Sequence, residues 1–307
     1  MSGPVVVLAG GTGGAKLARG MLDVVGAENL VVIANTGDDV ELYGAYVSPD
    51  PDLITFWLAD RIDERGWGLA RDSFHTMEGL RELGLEVWFN LGDRDLAIGL
   101  ERARALSAGD RLTDAQARIA TALGVRARVL PMSDRPVRTR VMAGGSWMPI
   151  QEFLIKRRGG GPVEGVEFRG ARAAAPSPEV LDALAKASAI VIGPSNPVIS
   201  IGPILALRAV RSALLESSAP VVAVSPLVAG RVVKGPTEPF IEWTGKPLTS
   251  AGIASLYDGL LDGLVADERT SLVPVLQTDV LMDTPAARAR VADETLRFAL
   301  GLGRRAG

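Results

Sequence analysis

The chain has no cysteine and a single histidine, His75. Without a thiol there is no disulfide, no thiolate zinc site, no iron–sulfur cluster and no cysteine nucleophile. One histidine excludes a multi-histidine metal site, and any Ser-His-Asp triad would have to run through it. Aromatic residues make up only 5% of 307 residues, so the core must be built from Ala, Val, Leu and Ile, as in α/β proteins whose parallel strands are buried on both faces. A net charge of −3, from 33 basic and 36 acidic residues, supplies none of the positive field that nucleic-acid binding needs. No apolar run approaches the roughly 18 residues required to cross a bilayer, and no basic segment precedes the first apolar run. These absences predict a cytoplasmic protein without nucleic-acid or membrane partners. Its chemistry must rest on carboxylates, hydroxyls, backbone amides, Lys and Arg.

What is present is ordinary globular composition, 47% hydrophobic and 22% charged, in an order that predicts βαβ units. Short apolar runs rich in β-branched residues are followed by Gly, Pro, Asn or Asp and then by a helical pattern. Strands are predicted over 5–9, 30–34, 86–90 and 189–193, with others over 126–130, 221–225 and 272–276. Helices are predicted over 15–25, 53–62, 72–83, 96–106, 114–123, 178–187, 203–216 and 285–300. The expected fold is a single Rossmann-like α/β domain over residues 1–307: an open, mainly parallel sheet with helices on both faces. Right-handed crossovers then gather the polar loops at the carboxyl ends of the strands. Between residues 136 and 175 the pattern becomes alternating and basic, predicting a small β-rich insertion, either over the crevice or as a surface hairpin. The apolar faces of helices 203–216 and 285–300 suit either a homodimer contact or core packing.

Five loops carry the candidate chemistry. Gly10, Gly11, Thr12, Gly13 and Gly14 lie between the first strand and helix, where glycines let backbone amides approach a phosphate at a helix N-terminus. Lys16 stands where the dinucleotide fingerprint needs its third glycine, and Ala15 and Leu17 on either side of it break the Walker A pattern, so the loop predicts phosphate or nucleotide binding without naming the nucleotide. Asp38 and Asp39 follow the second strand, and Asp50 and Asp52 lie on a proline-stiffened loop. Asp52 is explained as the N-cap of the helix over 53–62. Asp50 has no such task, and a group of aspartates facing a phosphate loop suits Mg²⁺. In Gly92-Asp93-Arg94-Asp95, Asp95 reads as the N-cap of the next helix with Arg94 paired to it, or Asp93 and Arg94 meet a ligand at the crevice. Ser195, Asn196 and Ser200, on a rigid loop between prolines, offer uncharged donors and acceptors for phosphate, ribose or a base edge. His75 reads as a packed or surface residue before it reads as a catalyst. Trp57, Trp67, Trp88 and Phe89 read first as core and second as a stacking surface.

Together the stretches LAGGTGGAKLARG (8–20), NTGDD (35–39), SPDPD (48–52), RGWGLARDSFH (65–75), WFNLGDRDLA (88–97), PMSDRPVRTRV (131–141), QEFLIKRR (151–158) and GPSNPVISIGPILAL (193–207) resemble the CofD/FbiA family of 2-phospho-L-lactate transferases of coenzyme F420 biosynthesis. GDRDLA and PSNPVISIG are the most specific. The resemblance implies a Mg²⁺-dependent transfer of a phospholactyl or phosphoenolpyruvyl group from a guanosine diphosphate-linked donor to the terminal ribityl hydroxyl of the deazaflavin Fo, with release of GMP. It implies nucleotide contacts at Gly11, Gly13, Asn196 and Ser200, and Fo near Asp50, Asp52, Asn90, Asp93 and Arg94. Asp38 and Asp50 are the expected metal ligands, and Asp50 the expected proton acceptor. The alternative is a nucleotide-sugar-binding regulator of the gluconeogenesis-factor type, which shares the glycine-rich and acidic loops but has no need of the GDRD segment.

Overall fold

The computed structural model describes residues 3–303. Its strands are β1 (Val5–Ala9), β2 (Leu30–Ala34), β3 (Val40–Leu42), β4 (Ala45–Val47), β5 (Arg128–Pro131), β6 (Arg138–Ala143), β7 (Ser146–Pro149), β8 (Gly165–Arg169), β9 (Ala189–Ile192), β10 (Val221–Val224), β11 (Leu227–Val228), β12 (Arg231–Val232), β13 (Gly263–Ala266) and β14 (Val275–Gln277). The helices are α1 (Gly11–Val25), α2 (Pro49–Leu58), α3 (His75–Glu82), α4 (Asp93–Ser107), α5 (Leu112–Ala122), α6 (Ile150–Ile155), α7 (Pro178–Ala185), α8 (Gly202–Leu205), α9 (Arg208–Glu216), α10 (Thr237–Trp243), α11 (Ser250–Leu256) and α12 (Pro285–Gly301).

A seven-stranded parallel sheet in the order β14-β13-β10-β9-β1-β2-β5 forms the centre, as the βαβ pattern predicts. All five residues of β1 are buried because both faces of the sheet are covered. Val5, Val7 and Ala9 pack toward the cluster that includes α1, α2 and α12. Val6 and Leu8 pack toward the cluster that includes α7, α9 and α11. Val210 and Leu214 of α9 and Val291, Leu296 and Ala299 of α12 are buried in these two clusters, so the apolar faces of both helices belong to the core. The register aligns Ala9 with Ala34, and Leu8 with Ile192. The turns after β1, β2 and β9 therefore open on one edge, at the point where the strand order reverses.

Several expected elements differ. Residues 86–90 form no strand. The position beside β2 is taken by β5, while Val87 and Phe89 pack on a satellite cluster with Met77 and Leu96, outside the sheet. The strand expected over 126–130 runs Arg128–Pro131, and that over 272–276 runs Val275–Gln277. β13 was not expected, because its four residues carry too short an apolar run to stand out. The helix expected over 203–216 is broken: Pro197–Ile201 make a π-helical turn, Leu207 is extended and fully buried, and the two helical parts meet at 85°. No single helix among the described residues is long and apolar enough to cross a membrane. The antiparallel sheet β7-β6-β8 fits the β-rich insertion, with α6 as an unforeseen helix between its strands.

Candidate active site

Helix α1 begins at Gly11, directly after β1, so the glycine-rich stretch is its first turn and not a separate loop. Gly11 has a left-handed φ of 61°, which glycine adopts without steric cost. Gly13 lies so close to the β9 turn that a Cβ there would come within 2.1 Å of the Pro194 carbonyl oxygen. The β1 and β9 turns are thus packed backbone to backbone. Gly10 N–H donates to Ser195 Oγ at 3.2 Å, and Gly11 N–H donates to Asp50 Oδ1 at 2.6 Å.

Asp50 reaches this position because α2 starts at Pro49, four residues earlier than expected, with Asp50 and Asp52 in its first turn. Asn35, the first residue after β2, joins the acidic groups. Its Nδ2 donates to Asp50 Oδ2 at 2.8 Å and to Asp38 Oδ1 at 3.1 Å, while its Oδ1 accepts from Gly37 N–H at 2.7 Å. Burial, with Asp50 beside it, pushes the Asp38 carboxyl well above the usual range. Burial raises Asp50 to about 6, against the opposing pull of Asn35 and the Gly11 amide. Asp39 is likewise raised by burial to about 7; its Oδ1 accepts from Ser48 Oγ at 2.7 Å, and its Oδ2 has no partner.

Among the described residues no Lys or Arg is ion-paired with the two buried carboxyl groups that Asn35 draws together. That donor set fits Mg²⁺, which takes one or two carboxylates and completes its shell with water and phosphate oxygens. Among the described residues no group of three or more His, Asp or Glu side chains is placed to hold a metal, so a resident all-protein metal cage is not built here.

Asp52 is not a helix cap. Its carboxylate forms an ion pair with Arg102, whose Nη1 lies 3.1 Å from Oδ2 and whose side chain is fully buried. Arg102 also donates to the Tyr46 carbonyl at 3.0 Å and to Gln116 Oε1 at 3.2 Å, and Gln116 Nε2 donates to Thr55 Oγ1 at 2.9 Å. This network ties α2, and with it Asp50, to α4 and α5.

The carboxyl edge of the sheet opens into a cavity of about 880 Å³. Of the residues singled out in the sequence, Gly10, Gly11, Thr12, Gly13, Asp38, Asp50, Asp52, Asn90, Ser195, Asn196 and Ser200 line it. Gly14, Asp93 and Arg94 do not. Gly14 is buried behind the turn, where a Cβ would meet Ser195 Oγ and Ala9 Cβ. The Asp93 carboxylate instead accepts from Ser73 Oγ at 2.7 Å, Thr76 N–H at 2.9 Å and His75 N–H at 3.1 Å, capping α3. Those bonds hold its pKa far below the usual carboxylate value. Asp72 returns the cap to α4, accepting from the Arg94 and Asp95 amides at 2.9 and 3.2 Å. Asp95, in the first turn of α4, is therefore not its N-cap. It lines the cavity and is raised to about 7, chiefly by burial and then by Asp52, Asp72 and Asp63.

His75 is exposed beside Glu78 and outside the cavity. Trp57 is core, whereas Trp88 and Phe89 stack at 5.8 Å between centroids on the cavity wall. Asn90 accepts from Arg81 at 2.7 Å. The Asn196 side chain caps the π turn through Oδ1, while its buried Nδ2 has no partner. Sequence reasoning missed Asn35, Gln151 and Lys234. Asn35 stood within NTGDD, but only the strand register reveals an amide between two carboxylates. Gln151 comes from the insertion and donates to the Asp38 carbonyl at 3.3 Å, so the insertion walls the crevice.

The family model described as 2-phospho-L-lactate transferase CofD matches residues 5–290. The chain is 40% identical over 266 residues to a 2-phospho-L-lactate transferase from Methanosarcina mazei, covering 86% of this chain and 87% of that protein. It is 38% identical over an alignment of 311 residues to a phosphoenolpyruvate transferase from Streptomyces griseus, covering 94% and 97%. Among solved structures, a upf0052-family protein from Bacillus halodurans superposes with a TM-score of 0.65 at 17% identity, over 96% of this chain and 99% of that one, a likeness of fold alone.

Proposed function

Because the chain belongs to the CofD family of 2-phospho-L-lactate transferases, we propose that it transfers a phospholactyl or phosphoenolpyruvyl group from a guanosine diphosphate-linked donor to the terminal ribityl hydroxyl of Fo, releasing GMP in coenzyme F420 biosynthesis. The observation that carries this reading is the Asp38–Asn35–Asp50 arrangement at the head of α1, within a cavity of ligand-binding size. In the transfer the hydroxyl oxygen bonds to the β-phosphorus, the bond from that phosphorus to the oxygen bridging the α-phosphate breaks, and GMP leaves. Such a reaction asks for positioning and charge neutralisation, not a covalent protein intermediate, which suits a chain without cysteine and with its one histidine outside the cavity.

Asp38 and Asp50 are the residues that would hold Mg²⁺, which when bound supplies positive charge for the phosphate oxygens. Asp50 accepts the hydroxyl proton, since burial raises its carboxyl and makes it a stronger base than an exposed aspartate. Asn35 keeps the two carboxylates at bonding distance of one nitrogen despite their repulsion. Thr12, Gly13, Ser195, Asn196 and Ser200 form the nucleotide end, with Asn196 Nδ2 free to donate to it. The Trp88–Phe89 stack and Asn90 offer a flat wall and a polar edge to the deazaflavin. The test is GMP release from donor and Fo with and without Mg²⁺. Asp50→Asn, stably folded, should abolish release, and turnover within a few-fold of wild type would remove Asp50 from the mechanism.

A further inference from the structure

Lys16, the residue that breaks the dinucleotide fingerprint, has no role in the mechanism above. It lines the cavity together with Lys234, from the segment after β12. The Lys16 ammonium lies 6.0 Å from the centre of the Trp57 ring. Lys234 lies 4.6 Å from the Trp67 ring and donates to the Arg65 carbonyl at 2.8 Å. Gly66 lies between Lys234 and the ring that Lys16 faces: a Cβ on that residue would be 3.2 Å from Lys234 Nζ and 3.9 Å from both Trp57 Cζ2 and Thr12 Cγ2. With φ at 81° and these neighbours, the position suits glycine.

Among the described residues neither ammonium is ion-paired to a carboxylate. Burial lowers the pKa of both, and Lys16 is lowered further by Lys234 and Arg288, with Asp283 opposing. Two ammonium groups facing one cavity and repelling each other form a site that an anion would relieve. The chemistry of the wall narrows the anion. Trp57 belongs to the same apolar cluster as Leu53, Val280 and Met282, which line the cavity. Paired cations against apolar side chains suit a small organic acid, its carboxylate on the lysines and its methyl or methylene on the wall. A diphosphate, with charge on every side, suits such a wall poorly.

We propose that Lys16 and Lys234 form the subsite for the carboxylate of the acid that the donor carries, and so select phosphorylated three-carbon acids. This rests on the transferase reading above, since both acids named for the relatives carry a carboxylate beside the phosphate ester. The full-length wild type, Lys16→Gln/Lys234→Gln, Lys16→Arg/Lys234→Arg and Lys234→Gln alone are titrated by calorimetry with 2-phospho-L-lactate, isopropyl phosphate and GDP. Isopropyl phosphate has a methyl group where the lactate ester has its carboxylate.

Wild type should bind the lactate ester at least about tenfold more tightly than isopropyl phosphate, the contribution of charge-assisted hydrogen bonds. The double glutamine variant should lose that preference and the arginine pair retain it, with GDP affinity within about threefold of wild type throughout. Lys234→Gln, at an exposed position that does not threaten folding, should lose part of the preference. Absence of the preference in wild type, its survival in the glutamine variants, or an equal fall in GDP affinity overturns the carboxylate subsite. If wild type still releases GMP from donor and Fo, any of those results leaves the transferase reading standing; if it does not, both fall.

Discussion

Asp52→Ala should cost the fold about 3–5 kcal/mol, because it leaves the fully buried Arg102 guanidinium without its carboxylate. The remaining partners, the Tyr46 carbonyl and Gln116 Oε1, are neutral acceptors, and Arg102 Nε already lacks one. For a chain of 307 residues the loss corresponds to about 5–8 °C in Tm. A helix cap at the same residue would be worth only about 1 kcal/mol, so the magnitude distinguishes the two roles. Urea denaturation of wild type, Asp52→Ala, Asp52→Leu, Arg102→Met and Asp52→Leu/Arg102→Met gives the values. Replacing both partners with apolar side chains removes the unpaired charge, so the double variant should recover at least about 2 kcal/mol relative to Asp52→Ala. A single-variant cost near 1 kcal/mol, or a double variant as poor as the sum of its singles, would refute the buried ion pair as the support of α2.

Gly13→Ala places a Cβ against the Pro194 carbonyl, so the two turns must part; a cost of about 1–3 kcal/mol and at least tenfold weaker GDP binding by calorimetry are expected. Asp39 is raised from 3.8 to about 7 by burial, so between those values the folded protein holds a proton that the unfolded chain has lost, and stability falls as pH rises from about 4 to about 7. Asp39→Asn should make that slope shallower in metal-free buffer, with Asp38, Asp50 and Asp95 supplying the rest, and gain no more than about 4 kcal/mol over wild type above pH 7; an unchanged Tm profile would contradict it. Asp93→Asn should lower Tm at neutral pH by weakening the α3 cap, with the difference fading as pH falls below about 4, where the unfolded chain takes up a proton that the folded carboxylate resists, and leave the KM for Fo unchanged. A higher KM at unchanged Tm would place Asp93 at the ligand.

The parallel core was legible because burial on both faces leaves a direct record: Val5–Ala9 and Leu30–Ala34 are continuous apolar runs ending at a polar turn. The same rule misread residues 86–90, where Val87, Trp88 and Phe89 are apolar because they meet a satellite cluster and the cavity wall. Helix starts were displaced where a turn residue also serves as first helical turn, as at Gly11 and Pro49. Asp38 and Asp50 were legible as carboxylates without a local task. Asn35 between them, the Asp52–Arg102 pair spanning 50 residues and the exchanged caps of Asp72 and Asp93 were not. Each depends on which chain segments meet, and no local pattern encodes that.

In the proposed reaction a phosphoester moves intact from a guanosine diphosphate-linked donor to a hydroxyl of Fo at the Asp38–Asp50 site. Phosphorus NMR of donor, Fo, Mg²⁺ and the full-length protein tests it most directly. One GMP and one new phosphodiester on Fo are expected for each donor consumed, both absent with Asp50→Asn. Release of GDP in place of GMP, or donor consumption that ignores Fo, would contradict it.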